Sequence, residues 1–108
     1  MLPAPLFQAL NMLDTPQSLG RLNDKIPLSQ RQLERQFQQW LDMPPKQYQR
    51  ILRVKKTATH LKLHPNTDLV DLALKHGFSD QAHMTREFKQ IAGITPKQYS
   101  KFIILRKV

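Results

Sequence analysis

Gln30, Arg31, Glu34 and Arg35 fall inside one six-residue window, and Gln81, Ala82, Thr85 and Arg86 fall inside another. These side chains share a chemistry. Arginine bonds guanine O6 and N7 through two parallel N–H groups, glutamine reads adenine, glutamate accepts from cytosine N4, and alanine or threonine methyls touch the thymine methyl. Beside the first window stand Ser29, Gln38 and Lys46, and beside the second His83, Lys89 and Lys97, groups suited to phosphate oxygens. An isolated charged stripe of this kind is usually a solvated helix face.

An internal repeat changes that weighting. The segment from Ser29 to Tyr48 is echoed 51 positions later from Asp80 to Tyr99. The overlay sets Leu33 on Met84, Arg35 on Arg86, Phe37 on Phe88, Trp40 on Ile91 and Pro45-Lys46-Gln47-Tyr48 on Pro96-Lys97-Gln98-Tyr99. Two copies of one supersecondary unit are implied. Leu33, Phe37, Trp40 and Leu41 in one copy, and Met84, Phe88, Ile91 and Ala92 in the other, have the spacing of a buried helix face. Trp40 is expected in the core on that stripe. Arg35 and Arg86 lie off it in both copies, a match that solvation alone does not explain.

The elements that must position these residues all read as helix, about seven of them, with no sustained strand alternation. Leu2, Leu6, Leu10 and Leu13 form a first amphipathic helix; Ser18 caps a second to about Lys25. Ser29 caps a third over about 29–41. Pro45 opens a long helix to about Leu63, with Tyr48, Ile51, Val54, Ala58 and Leu61 on one side. Asp68 and Asp71 resemble a capping box for a fifth, Gly77 supplies the turn, Asp80 caps a sixth over about 80–92, and Gly93 ends it. Thr95-Pro96 begins a seventh, through Phe102 or beyond. A short helix, a tight turn and a capped second helix with an exposed polar face is the helix-turn-helix plan. The expected division is a first subdomain over 1–44, a linker helix over 45–64 and a second subdomain over 65–108. At 1.5 Å per residue the linker is about 28 Å long, close to the roughly 34 Å between successive major grooves on one face of a duplex.

Lys and Arg number 17 against 8 Asp and Glu, and the net +9 lies wholly in residues 46–108. Such a field suits a polyanion. No window approaches the ~20 apolar residues that span a bilayer, and the start Met-Leu-Pro-Ala-Pro lacks the regions of a signal peptide. A soluble intracellular protein is expected. With no cysteine, disulfides and thiolate metal sites are excluded. His60 and His64 have metal-compatible spacing, but without a neighbouring carboxylate in the helix they read as solvated or packing residues, so no metal and no cofactor is expected. No nucleophile is paired with a base and no phosphate-binding loop occurs, so an enzyme is not expected. The alternative to DNA binding is a basic helical protein-interaction module.

At this point the residues resemble the two-helix-turn-helix DNA-binding domain of the AraC/XylS regulators. The second unit carries the likeness most fully: Asp71-Leu72-Ala73, Gly77-Phe78-Ser79-Asp80, Arg86-Glu87-Phe88-Lys89, Gly93, Thr95-Pro96 and Tyr99. Leu28-Ser29, Leu33, Arg35, Phe37, Pro45, Tyr48 and Arg53 resemble the more variable first half. Asn23, Pro27, Asp42, Thr57, His76 and Ser100 depart from the family's usual residues. The resemblance implies sequence-specific double-stranded DNA binding for transcription regulation, usually activation, in a bacterial cytoplasm. It implies RNA polymerase as a further partner, and an effector-binding or dimerisation domain in a longer parent chain.

Overall fold

The computed structural model describes residues 29–107, and among these every regular element is an α-helix. There are five: α1 (Gln30–Leu41), α2 (Pro45–Leu63), α3 (Leu69–Lys75), α4 (Gln81–Ala92) and α5 (Pro96–Arg106). The helices expected over Leu2–Leu13 and from Ser18 to Lys25 lie outside the described residues, so the expected count of about seven becomes five here. None of the described helices is long and apolar enough to cross a membrane. The chain divides into two compact units at Arg50/Ile51, inside α2.

In the first unit, α1 starts where its cap chemistry dictates. The Ser29 hydroxyl accepts from the Gln32 amide at 3.1 Å while the Gln32 side chain accepts from the Ser29 amide at 3.0 Å, a complete capping box. Leu33 and Phe37 are buried, and the Phe37 ring meets Tyr48, on the first turn of α2, edge-on at 5.9 Å. The helix stops at Asp42, which adopts the left-handed conformation (φ 57°) and donates its amide to the Gln38 carbonyl. Trp40 departs from expectation: it is 45% exposed rather than core. It lies in the last turn of α1, which ends one residue later. An indole is also too large to be fully enclosed by so small a unit.

The second unit is built around Leu61, Leu72, Ala73, Phe78 and Met84, with Leu69 and Tyr99 packed against them. Helix α3 packs on α4 and α4 on α5. Asp68 accepts from the Val70 and Asp71 amides, but Asp71 does not return the bond, so the expected capping box is only half made. The aspartate side chain is one methylene shorter than the glutamate such boxes use. Gly77 takes φ 84° in the turn, a conformation nearly free for glycine alone. Asp80 accepts from the His83 amide at 2.7 Å to start α4, and Gly93 at φ 83° ends it. Thr95 and Gln98 close a second full capping box ahead of α5, with Pro96 in the first turn. Ile91 and Ala92 were expected on the buried face and are exposed, for the same reason as Trp40: they occupy the final turn of their helix.

Candidate nucleic-acid interface

Burying Leu33 and Phe37 turns the opposite side of α1 outward, and Gln30, Arg31, Glu34 and Arg35 are all exposed there. Gln30 donates to Glu34 one turn on at 3.3 Å, so two of the four are mutually oriented. Burying Met84 and Phe88 does the same for α4, where Gln81, Ala82 and Arg86 are exposed and Thr85 is half-buried. Lys46, Lys89 and Lys97 are exposed. The remaining phosphate candidates are engaged within the protein. The Ser29 hydroxyl caps α1, Gln38 donates to Asp42 at 2.9 Å, and both ring nitrogens of His83 have partners.

The engagement of His83 belongs to an interaction that sequence reading missed. Glu87 is 5% exposed, a carboxylate buried within the unit. Arg53, on α2, donates to its Oε1 from Nε at 3.0 Å and from a terminal nitrogen at 2.9 Å. The second terminal nitrogen of Arg53 reaches the Gly77 carbonyl at 3.3 Å, and its guanidinium lies 5.1 Å over the Phe78 ring. On the other side of Glu87, His83 Nε2 stands 3.1 Å from Oε2. His83 Nδ1 accepts from the Ser79 amide at 3.1 Å, which fixes the tautomer, with the proton on Nε2 donated to Glu87. One arginine thus ties α2 to the turn and to the inner face of α4, whose outer face carries Arg86. In the sequence, Arg53 and Glu87 both stand among the residues that carry the family resemblance, but nothing there links one to the other. The repeat aligns Glu87 with Gln36, whose side-chain oxygen is buried without a hydrogen-bond partner.

The family departures have structural counterparts. Thr57 is fully buried, and its hydroxyl donates to the Arg53 carbonyl at 2.7 Å, so it satisfies its own polar group within the helix. The Ser100 hydroxyl bonds the Pro65 carbonyl, tying α5 to the loop after α2. His76 caps the end of α3 beside His60. Burial holds both rings below the ordinary imidazole range; Lys75 and His64 add to this at His60, and His60, Lys75 and Lys56 at His76. Among the described residues no group of three His, Cys, Asp or Glu is arranged to hold a metal.

These helices, caps and exposed basic faces define a DNA-binding module of the helix-turn-helix class. The family model for the helix-turn-helix domain matches residues 22–101, and the chain belongs to that family, of the AraC type. It is 28% identical over 86 residues to the HTH-type transcriptional regulator ArgR of Pseudomonas aeruginosa, covering 80% of this chain and 26% of that protein. It is 35% identical over 74 residues to the HTH-type transcriptional activator RhaS of Escherichia coli, covering 68% and 26%. With the F1 operon positive regulatory protein of Yersinia pestis it shares 37% over 71 residues, or 66% and 23%. The chain therefore spans about a quarter of the length of these relatives. Among solved structures, an AraC-type regulator from Chromobacterium violaceum superposes with a TM-score of 0.83 at 25% identity, covering 92% of this chain and 91% of that one. The C-terminal domain of AraT from Geobacillus stearothermophilus gives 0.83 at 21%, covering 94% and 87%, a likeness of fold. The chain is a DNA-binding domain of a family of transcription regulators.

Proposed function

We propose that the domain recognises one double-stranded operator with two helices, α1 and α4, entering successive major grooves. Gln30, Arg31, Glu34 and Arg35 read bases in one groove and Gln81, Ala82, Thr85 and Arg86 in the other. Lys46, Lys89 and Lys97 bind phosphates, and Ser29, Gln38 and His83 steady the chain where it passes the backbone. The observation that carries this is the pairing of Arg35 with Arg86: exposed at equivalent positions of two repeated units, each on a helix with a side-chain N-cap. The unbroken helix Pro45–Leu63, at 1.5 Å per residue about 28 Å, supports a one-turn separation between the two contacts. Within a longer regulator, the module acts in the bacterial cytoplasm, brings RNA polymerase to a promoter or excludes it, and catalyses no reaction.

Selection of bound sequences from a random duplex pool tests the proposal. Two short preferred blocks about one helical turn apart are expected. Inserting five base pairs between them rotates the blocks to opposite faces and is expected to abolish the gain from the second. Unchanged affinity after insertion would mean that a single unit reads sequence. Absence of any duplex preference, with binding to an acidic protein instead, would favour an interaction module.

A further inference from the structure

Three imidazoles meet where the last turn of α2 and the loop after it approach the end of α3. His60 Nδ1 and His76 Nε2 face each other at 3.3 Å. The His60 ring stands edge-to-face with His76 at 5.2 Å and with His64 at 5.4 Å. His60 and His76 are half-buried, His64 exposed. Sixteen residues separate the facing pair, so spacing in the sequence pointed only to His60 with His64.

The separation of the two nitrogens is informative. Two imidazoles on a tetrahedral ion, each at about 2.0–2.1 Å, stand about 3.3 Å apart. The pair already has that spacing, with the two helices in place, and rotation of the rings about their side-chain bonds would aim both lone pairs at one point. No third ligand from His, Cys, Asp or Glu converges there among the described residues, so water would complete the shell. We propose that His60 Nδ1 and His76 Nε2 form an interhelical chelate for a divalent transition-metal ion of the imidazole-preferring series, copper, nickel or zinc. The proton now shared between the rings moves to the remaining nitrogen of whichever imidazole donates it, so each ring binds the ion neutral. Lys56 and Lys75 are the cations near the site, and their repulsion places it at the weaker end of such chelates. The ion would staple α2 to α3, the helix that leads into the Gly77 turn and α4.

Calorimetric titration of the 108-residue chain, free of any histidine tag, with nickel chloride or zinc chloride tests the assignment. Saturable binding of one ion per chain is expected, with a rise in the thermal midpoint, and His60→Gln and His76→Gln should each weaken binding at least tenfold. Circular dichroism of the metal-free variants confirms that they remain folded, and His64→Gln should bind like the parent. Absence of saturable binding overturns the proposal. So does loss of binding in His64→Gln with none in His76→Gln, which moves the ion to the pair four residues apart on the chain.

Discussion

Arg53→Met is the perturbation that most directly examines what holds α4 in place. Methionine keeps much of the apolar stem but removes the guanidinium over Phe78, two charged hydrogen bonds to Glu87, at 3.0 and 2.9 Å, and one to the Gly77 carbonyl at 3.3 Å. Glu87 stays buried without its arginine, and breaking a buried pair from one side costs about 3–5 kcal/mol. Arg53 is partly exposed, its side chain at 23%, so water screens part of the loss. A net cost of about 2–3 kcal/mol follows. Urea unfolding followed by circular dichroism reads it directly. The double variant Arg53→Met/Glu87→Met removes both charges and should recover at least half of that cost, because no carboxylate is left stranded. On the proposal that α4 enters a groove, specific DNA binding by the folded single variant should weaken more than nonspecific binding, since the brace orients that helix. A cost below about 0.5 kcal/mol, or a double variant no more stable than the single, would show that the cluster behaves like a surface pair and would refute the argument.

The other expectations are local. Arg35→Ala and Arg86→Ala should each lose about 1–3 kcal/mol of specific binding and relax preference at one or two base pairs; equal loss on random duplex, measured by fluorescence anisotropy, would limit the residue to a phosphate contact. Asp42→Gly should stabilise the domain by up to about 1 kcal/mol, since φ 57° costs aspartate what it does not cost glycine, partly offset by the lost bond from Gln38. The pH dependence has a definite sign. His60 and His76 are held below the ordinary imidazole value, so the unfolded chain binds protons first; their contribution is present above about pH 6.5 and is lost as pH falls below it. Lys56, Lys75 and His64 surround the pair with positive or ionisable groups, and His76→Leu should flatten the fall in melting temperature between neutral and mildly acidic buffer.

What could be seen in the sequence was what local chemistry decides. Ser29, Asp80 and Thr95 announced three helix starts, and Pro45, Gly77 and Gly93 marked a start, a turn and a stop. In each case the side chain or missing Cβ acts on backbone within a few residues. The outward placement of Arg35 and Arg86 followed from the same periodicity. Contacts between distant residues were hidden. Arg53 and Glu87 are 34 residues apart, and His60 and His76 are 16 apart. No periodicity links such pairs until α3 folds back against α2. Trp40 and Ile91 were misplaced because a stripe says which way a side chain points, not whether anything lies over it at the end of the helix.

The two repeats agree in their packing and differ at their ends. Phe37 with Tyr48 at 5.9 Å is matched, position for position, by Phe88 with Tyr99 at 6.1 Å. Buried Leu33 and Phe37 correspond to buried Met84 and Phe88. At the helix ends the copies part. Left-handed Asp42 stands where the second copy has Gly93, and Pro44 stands where Thr95 closes a capping box with Gln98. Half-buried Gln36, its side-chain oxygen buried without a partner, stands where Glu87 holds Arg53. The C-terminal and mid-helix differences favour the second copy, with its less strained C-cap and its paired buried carboxylate, whereas the first copy has the fuller N-cap, the two-way box of Ser29 with Gln32. Strain at φ > 0 and an unmet buried oxygen each cost on the order of 1 kcal/mol. In units this small, that is a large share of what the core supplies. By this argument α4 is the more firmly held of the two helices proposed to read DNA. The first copy retains the same outward chemistry on a less firmly terminated helix.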